Sequence, residues 1–276
     1  LKDVRLKEGF MLKRFSMIAL FGFLFSMQAL WAAEVIFTNT EGRTLTDADV
    51  RRAKVMADWE VEAQWTIPKR AIALHAKGRD LAKKGEYALA IPPLEQAAEA
   101  APHWAAPLYD AGFTYLLQRD TPKALQAYEQ ALAIAPRGFF TVITAVDTLK
   151  KEVNGELPQG TYLKYLSLDW SDDVERKQQL VDELLAAAPN YAPAWKAKAL
   201  LEPDDAKRLE LLEKGLAANP DADIQGFLLV EKALVLVRKG QQAQAVEILG
   251  NLALDKQTPS RVELLAKTTL ADILDK

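Results

Sequence analysis

Lys84-Gly85-Glu86-Tyr87-Ala88-Leu89-Ala90-Ile91, continued by Leu94, Ala97 and Pro102, decides the fold: Ala124, Tyr128, Ala131 and Pro136 return at a constant interval to the places of Ala90, Leu94, Ala97 and Pro102. That interval is about 34 residues, the length of a repeat that holds two antiparallel helices and buries its apolar face only by stacking on a neighbour. The expected architecture is therefore mainly α, an α-solenoid. In the first copy one helix is expected over about 69–84, with Leu74, Gly78 and Leu81 toward its partner, and a second over Tyr87–Ala100. In the next copy Leu108, Gly112 and Tyr115 take the same places, followed by Ala124, Tyr128 and Ala131. Gly78 and Ala90 are small because two helices cross there. Pro92 and Pro93 each remove an amide donor inside the second helix, so that helix is expected to start late or to bend.

Further copies are degraded. Ala186-Ala187-Ala188-Pro189-Asn190-Tyr191-Ala192-Pro193-Ala194-Trp195 repeats the close and restart found at 99–108, and Leu216-Ala217-Ala218-Asn219-Pro220 repeats the close slightly less than one period after Pro189. Arg238-Lys239-Gly240-Gln241-Gln242-Ala243-Gln244-Ala245-Val246, with Leu249, copies the run from Ala82, and Val262 to Leu274 has the amphipathic pattern of a helix that closes a solenoid. Pro136 and Pro189 are separated by one period and a further half. The excess is expected to be a helix over 139–153 ended by Asn154-Gly155, which either shifts the phase of the superhelix or packs as an insertion. The pattern resembles the tetratricopeptide repeat, W-x2-L-G-x2-Y with A-x3-F and a closing Pro, with Leu in place of Trp and Lys77 in place of the first Leu as departures. The resemblance implies about five helix pairs and a closing helix over 69–276.

Before the solenoid, Trp59, Val61, Ala63, Trp65 and Ile67 alternate with Glu60, Glu62, Gln64 and Thr66, the period of a strand with one buried face. Val35-Ile36-Phe37-Thr38-Asn39 reads as a second strand, with Glu41-Gly42 as a turn into Arg43-Thr44-Leu45. Thr46 to Ala57 suits either a third strand, which is favoured, or a short helix capped by Thr46 and Asp49. Residues 34–68 thus resemble a short β-meander module found at the front of some secreted bacterial proteins.

Residues 1–33 read as a signal peptide. Lys13-Arg14 precede a run from Phe15 to Trp31 broken only by Ser16, Ser26 and Gln28, and Ala32-Ala33 supply small residues for cleavage. Residues 1–10 are expected to lie upstream of a true start at Met11. A periplasmic or secreted location is expected, with no integral span once the signal is removed; the alternative is an inner-membrane anchor left uncleaved, since Leu30 and Trp31 stand where cleavage prefers small residues and the apolar run is about long enough to span. With no Cys in the chain, disulfides, thiol catalysis, thiolate metal sites and lipid attachment through Cys are excluded. The net charge is −3, and −6 without residues 1–33, which hold five basic and two acidic side chains. That balance argues against a nucleic-acid partner.

Chemistry-bearing constellations do not emerge, so no enzyme, cofactor or metal is expected. His75 and His103 are the only histidines, and Asp172-Asp173 and Asp204-Asp205 stand where helices begin and are expected to cap them. No Gly-rich phosphate loop, G-x-S-x-G or HExxH occurs. In tetratricopeptide-like proteins the first helices line the concave face. That resemblance places His75, Arg79, Tyr109, Phe113, Tyr162 and Phe227 as candidate partner-binding residues, with Leu166 and Val230 beside them. His75 and Arg79 stand where relatives that clamp a terminal carboxylate carry Lys and Asn. The aromatic lining either takes a hydrophobic helix or extended peptide, or is buried against neighbouring helices. Two functions follow: a non-catalytic protein-protein interaction scaffold of the bacterial cell envelope, or an accessory that stacks Trp59, Trp65, Trp104, Trp170 and Trp195 on cell-wall glycan or another polymer.

Overall fold

Helix begins at Lys69, directly after Pro68, and recurs to the end of the chain in a computed structural model that describes Ala33–Asn39, Ala57–Ala63 and residues 67–274. The helices are α1 (Lys69–Lys83), α2 (Tyr87–Ala100), α3 (Ala106–Leu117), α4 (Thr121–Ile134), α5 (Val142–Val153), α6 (Thr161–Leu166), α7 (Val174–Ala187), α8 (Ala192–Leu201), α9 (Asp205–Ala217), α10 (Ala222–Arg238), α11 (Gln242–Leu254) and α12 (Ser260–Leu274), with a 3-10 turn over Ser167–Trp170. Ahead of them, β1 (Ala33–Asn39) pairs antiparallel with β2 (Ala57–Ala63), Val35 opposite Val61 and Phe37 opposite Trp59. The turn at Glu41-Gly42, the segment 46–56, Gln64 to Thr66 and residues 1–32 of the expected signal segment lie outside the described residues.

Consecutive helices pack pairwise, α1 on α2, α3 on α4, α8 on α9 and α10 on α11, and each pair packs on the next, as a nearest-neighbour stack requires. The repeat register survives as geometry. A Cβ built on Gly78 of α1 would meet the Leu94 side chain of α2 at 2.6 Å, and one on Gly112 of α3 would meet the Tyr128 ring of α4 at 3.1 Å. Leu94 and Tyr128, themselves one repeat apart, are both fully buried. Glycine at each crossing leaves room for its partner's large residue: a Cβ would force Leu94 to move at Gly78 and would crowd the Tyr128 ring at Gly112.

Pro92 and Pro93 do not delay α2, which starts at Tyr87 and runs through both prolines to Ala100. The carbonyls that lose a donor are those of Ala88 and Leu89. Both residues are exposed, so water serves them and the cost stays small. The expected caps form as side-chain acceptors: Asp173 takes the amides of Glu175 and Arg176 at the start of α7, and Asp204 takes that of Lys207 at the start of α9. The third expected pair is weak in its first member, since α6 has 6 residues before it tightens into the 3-10 turn.

The extra helix begins at Val142, later than the expected Phe139, because Gly138 at φ 93° and Phe140 at φ 47° turn the chain sharply and put Phe139 into the core. Asn154 caps its end and Gly155 follows at φ 75°. It continues the stack on α4, and it also packs against α10, far along the chain. Glu152, buried on its last turn, accepts from the amides of Gly160 at 2.8 Å and Tyr162 at 2.6 Å. A carboxylate on α5 thus holds the N-terminus of the short helix α6, whose first amides lie beyond the reach of an intrahelical carbonyl.

Candidate functional site

The candidate residues lie on the first helices of their pairs, and three of the six sit inside the stack. His75 is 2 % exposed; its Nε2 lies 2.6 Å from Asp110 Oδ2 on α3, and Trp104 meets its ring edge-on at 4.6 Å. Arg79, 8 % exposed, reaches the same carboxylate at 3.7 Å. These two basic side chains share Asp110 and tie α1 to α3 rather than facing an open surface. Tyr162 is fully buried, its hydroxyl 2.9 Å from Thr141 Oγ1.

Tyr109 and Phe113 are half-buried and pack on the core formed around Tyr128 and Phe139. The Tyr109 ring meets Tyr128 at 5.4 Å, Phe139 at 5.4 Å and Phe140 at 5.3 Å, and Tyr128 meets Tyr162 at 6.3 Å. Tyr162 continues to Tyr165 and Tyr165 to Tyr191. The lining expected from the sequence is therefore a ladder of rings running through the joints between helices. Thr141 Oγ1 stands between the hydroxyls of Tyr109 and Tyr162, 2.9 Å from each. Burial pushes the Tyr109 hydroxyl up to about 12 and those of Tyr128, Tyr162 and Tyr191 well above the ordinary value, so all four stay protonated.

Phe227 on α10 is different. Its half-buried ring has Arg261 of α12 at 4.5 Å and Lys196 of α8 at 5.0 Å. Lys196 also lies over the Tyr165 ring at 5.7 Å. Neither cation is in ion-pair contact with a carboxylate among the described residues, although Asp169 and Asp223 interact with both at longer range. Burial works to lower the Lys196 ammonium, but the Tyr165 hydroxyl, with the Asp223 carboxylate, holds its value raised, so it remains charged. Lys196 and Arg261 escaped the sequence search because each lies on a different helix from their common ring, and nothing local marks either one.

Carboxylates in the same region are held above their ordinary range. Burial raises Asp221 to about 6, and it raises Asp169, Asp223, Glu152 and Glu231 in the same direction. Asp221 caps α10 through the amides of Asp223 and Ile224 and accepts from Thr144 of α5 at 3.2 Å. Between about pH 4 and pH 6 the folded chain therefore binds a proton at Asp221 that the unfolded chain does not, and stability should rise as the pH falls from 7 toward 5. The gain is on the order of 1 to 2 kcal/mol. Thermal melts at pH 7 and pH 5 should show it, and Asp221→Asn, which keeps the cap, should remove a large part of it; a melting temperature that falls over this interval contradicts the assignment.

Among the described residues no group of His, Asp and Glu is placed to hold a metal ion, and no helix is long and apolar enough to cross a membrane. His103 is exposed, apart from His75. Of the tryptophans with described side chains, Trp104 is buried, Trp195 is half-buried with Nε1 donating to the Pro189 carbonyl, and Trp170 is 45 % exposed.

No protein-family model and no curated protein matches the chain. Solved structures similar to it include MamA from residue 41 onward of Desulfovibrio magneticus RS-1, 17 % identical, covering 66 % of this chain and 93 % of that one with a TM-score of 0.32. TTC0263, a thermophilic TPR protein of Thermus thermophilus, is 16 % identical and covers 72 % and 98 % with a TM-score of 0.33. The TPR2AB domain of yeast Sti1, in complex with pHSP90, is 17 % identical and covers 72 % and 86 % with a TM-score of 0.31. The helix pairs themselves, with Gly78 and Gly112 at equivalent crossings one repeat apart, make this chain an α-solenoid built on the tetratricopeptide pattern.

Proposed function

We propose that the chain is a non-catalytic interaction scaffold of the bacterial cell envelope, exported by residues 1–33, that holds a segment of a partner protein against the first-helix side of the solenoid. The observation that carries the docking site is Phe227 between Lys196 and Arg261, a half-buried ring flanked by two cations from two other helices. Such a surface suits an extended segment in which an apolar side chain lies beside a carboxylate: the ring takes the first, and the flanking cations take the second. Tyr109 and Phe113 extend the same side, while His75, Arg79 and Tyr162 hold the helices that present it. The run of Lys13-Arg14 and the apolar residues after it supports export.

The test is capture from an envelope extract, with cell fractionation of the same tagged chain. Phe227→Ala should lower recovery of the captured partner at least about tenfold without changing the helical signal, as expected when a few central side chains carry the binding energy. Recovery unchanged by Phe227→Ala removes the docking site, and recovery of the chain in the soluble cytoplasm removes the envelope assignment. Exposure of Trp170 favours the second reading, polymer binding: Trp170→Ala would then abolish co-sedimentation with cell-wall glycan.

A further inference from the structure

A nearest-neighbour solenoid has no reason to bring residue 137 to residue 258, yet this chain does. Arg137, in the turn after α4, donates from Nε at 3.0 Å and from Nη2 at 2.7 Å to the Thr258 carbonyl, and its Nη2 is paired with Glu263 on the first turn of α12. The backbone returns the contact, with Ser260 N–H donating to the Arg137 carbonyl at 2.8 Å. Nearby, α5 packs on α10, and Thr144 of α5 donates to Asp221 at the start of α10. The two stretches lie far apart in sequence, and both hydrogen bonds to Thr258 use the fork of a guanidinium on a single carbonyl, a geometry that Lys does not reproduce.

The connection along the chain between these two halves is slight by comparison. It passes through the short helix α6 and the 3-10 turn at Ser167–Trp170, anchored in the core by the buried Tyr162 and Leu168. Two packed halves joined by a short connector and tied again at residues far apart in sequence have the parts of a hinge and a latch, with the bonds of Arg137 as the exposed part of the closure. The latch is polar and partly exposed, Arg137 at 40 % and Glu263 at 20 % side-chain exposure, so its opening uncovers little buried apolar area. The same first turn of α12 that carries Glu263 also carries Arg261, one of the two cations on Phe227.

We infer that the contact of Arg137 with Thr258, Ser260 and Glu263 is a clasp that closes the superhelix on itself and controls access to the first-helix side, where Lys196 and Phe227 lie. This inference rests on the docking site proposed above, but its test needs no partner. The chain contains no Cys, so Lys196→Cys introduces a single thiol reporter beside Phe227, on the side the clasp is inferred to cover. In the full chain, Arg137→Ala should accelerate labelling of that thiol by a bulky maleimide at least about tenfold and speed hydrogen exchange at the Ser260 amide, with the amides of α11 unchanged. Arg137→Lys, which retains the charge but not the fork, should give an intermediate rate, and it serves in place of Arg137→Ala if that variant loses its helical signal. Equal labelling rates with and without the Arg137 substitution, in chains of equal helical signal, overturn the clasp. Loss of the proposed docking site would leave both labelling and exchange unaffected, so the two failures are distinguishable.

Discussion

Replacing Tyr109 and Phe113 together by Ala is expected to cost the chain its stability rather than a surface. Tyr109 packs edge-on or tilted against Tyr128, Phe139 and Phe140, and its hydroxyl meets Thr141, which in turn meets Tyr162. Removing an aromatic ring from such a position costs about 3 to 5 kcal/mol, because the surrounding residues close the cavity only in part. Phe113 adds to that through its packing on the same core. A domain with ordinary stability has about 5 to 15 kcal/mol in total, so the double variant should melt at least about 10 °C lower or fail to fold. Denaturant unfolding followed by circular dichroism measures it. A double variant that folds as tightly as the parent would show that these rings face solvent, as an open groove requires.

Gly112→Leu is the second large effect. At Gly112 a Cβ alone would approach three atoms of the Tyr128 ring at 3.1 Å, and that ring is fully buried, so it can yield only slightly. The added isobutyl group must push α3 from α4, at a cost of about 1 to 3 kcal/mol or more. Gly112→Ala should be clearly milder, because only the ring must shift by a few tenths of an ångström. The equivalent Gly78→Leu meets Leu94 instead. Both glycines should therefore respond alike in melting experiments, and a neutral Gly112→Leu would break the repeat register at its best-supported point.

Much of the architecture was legible along the chain because repeat contacts are local. Gly78 meets Leu94 on the very next helix, and the caps at Asp173 and Asp204 reach only to the next helical turn. Such interactions leave a pattern in sequence that spacing alone reveals. The prolines of α2 do not delay its start, for a reason equally local: the cost of a missing donor depends on whether the orphaned carbonyl faces water, and period does not show that for a single turn. The candidate site was legible only as a side of the stack. Spacing placed His75, Tyr109 and Tyr162 on first helices, but whether a residue of a first helix is open or covered depends on what the neighbouring helix brings against it.

Sequence by itself determined the helix pairs, their repeat register, the small residues at the crossings and the absence of thiol chemistry, since each follows from residue type and short spacing. Tertiary structure alone decided that His75 and Arg79 both turn to Asp110, that Glu152 holds the start of α6, that Phe227 lies between Lys196 and Arg261, and that Arg137 reaches Thr258. Every one of these is a polar or cation-ring contact between residues from 8 to 121 positions apart. Apolar periodicity tells which face of a helix is buried, but the partner that satisfies a charge is chosen by the path of the backbone through space, and a single sequence carries no period for that.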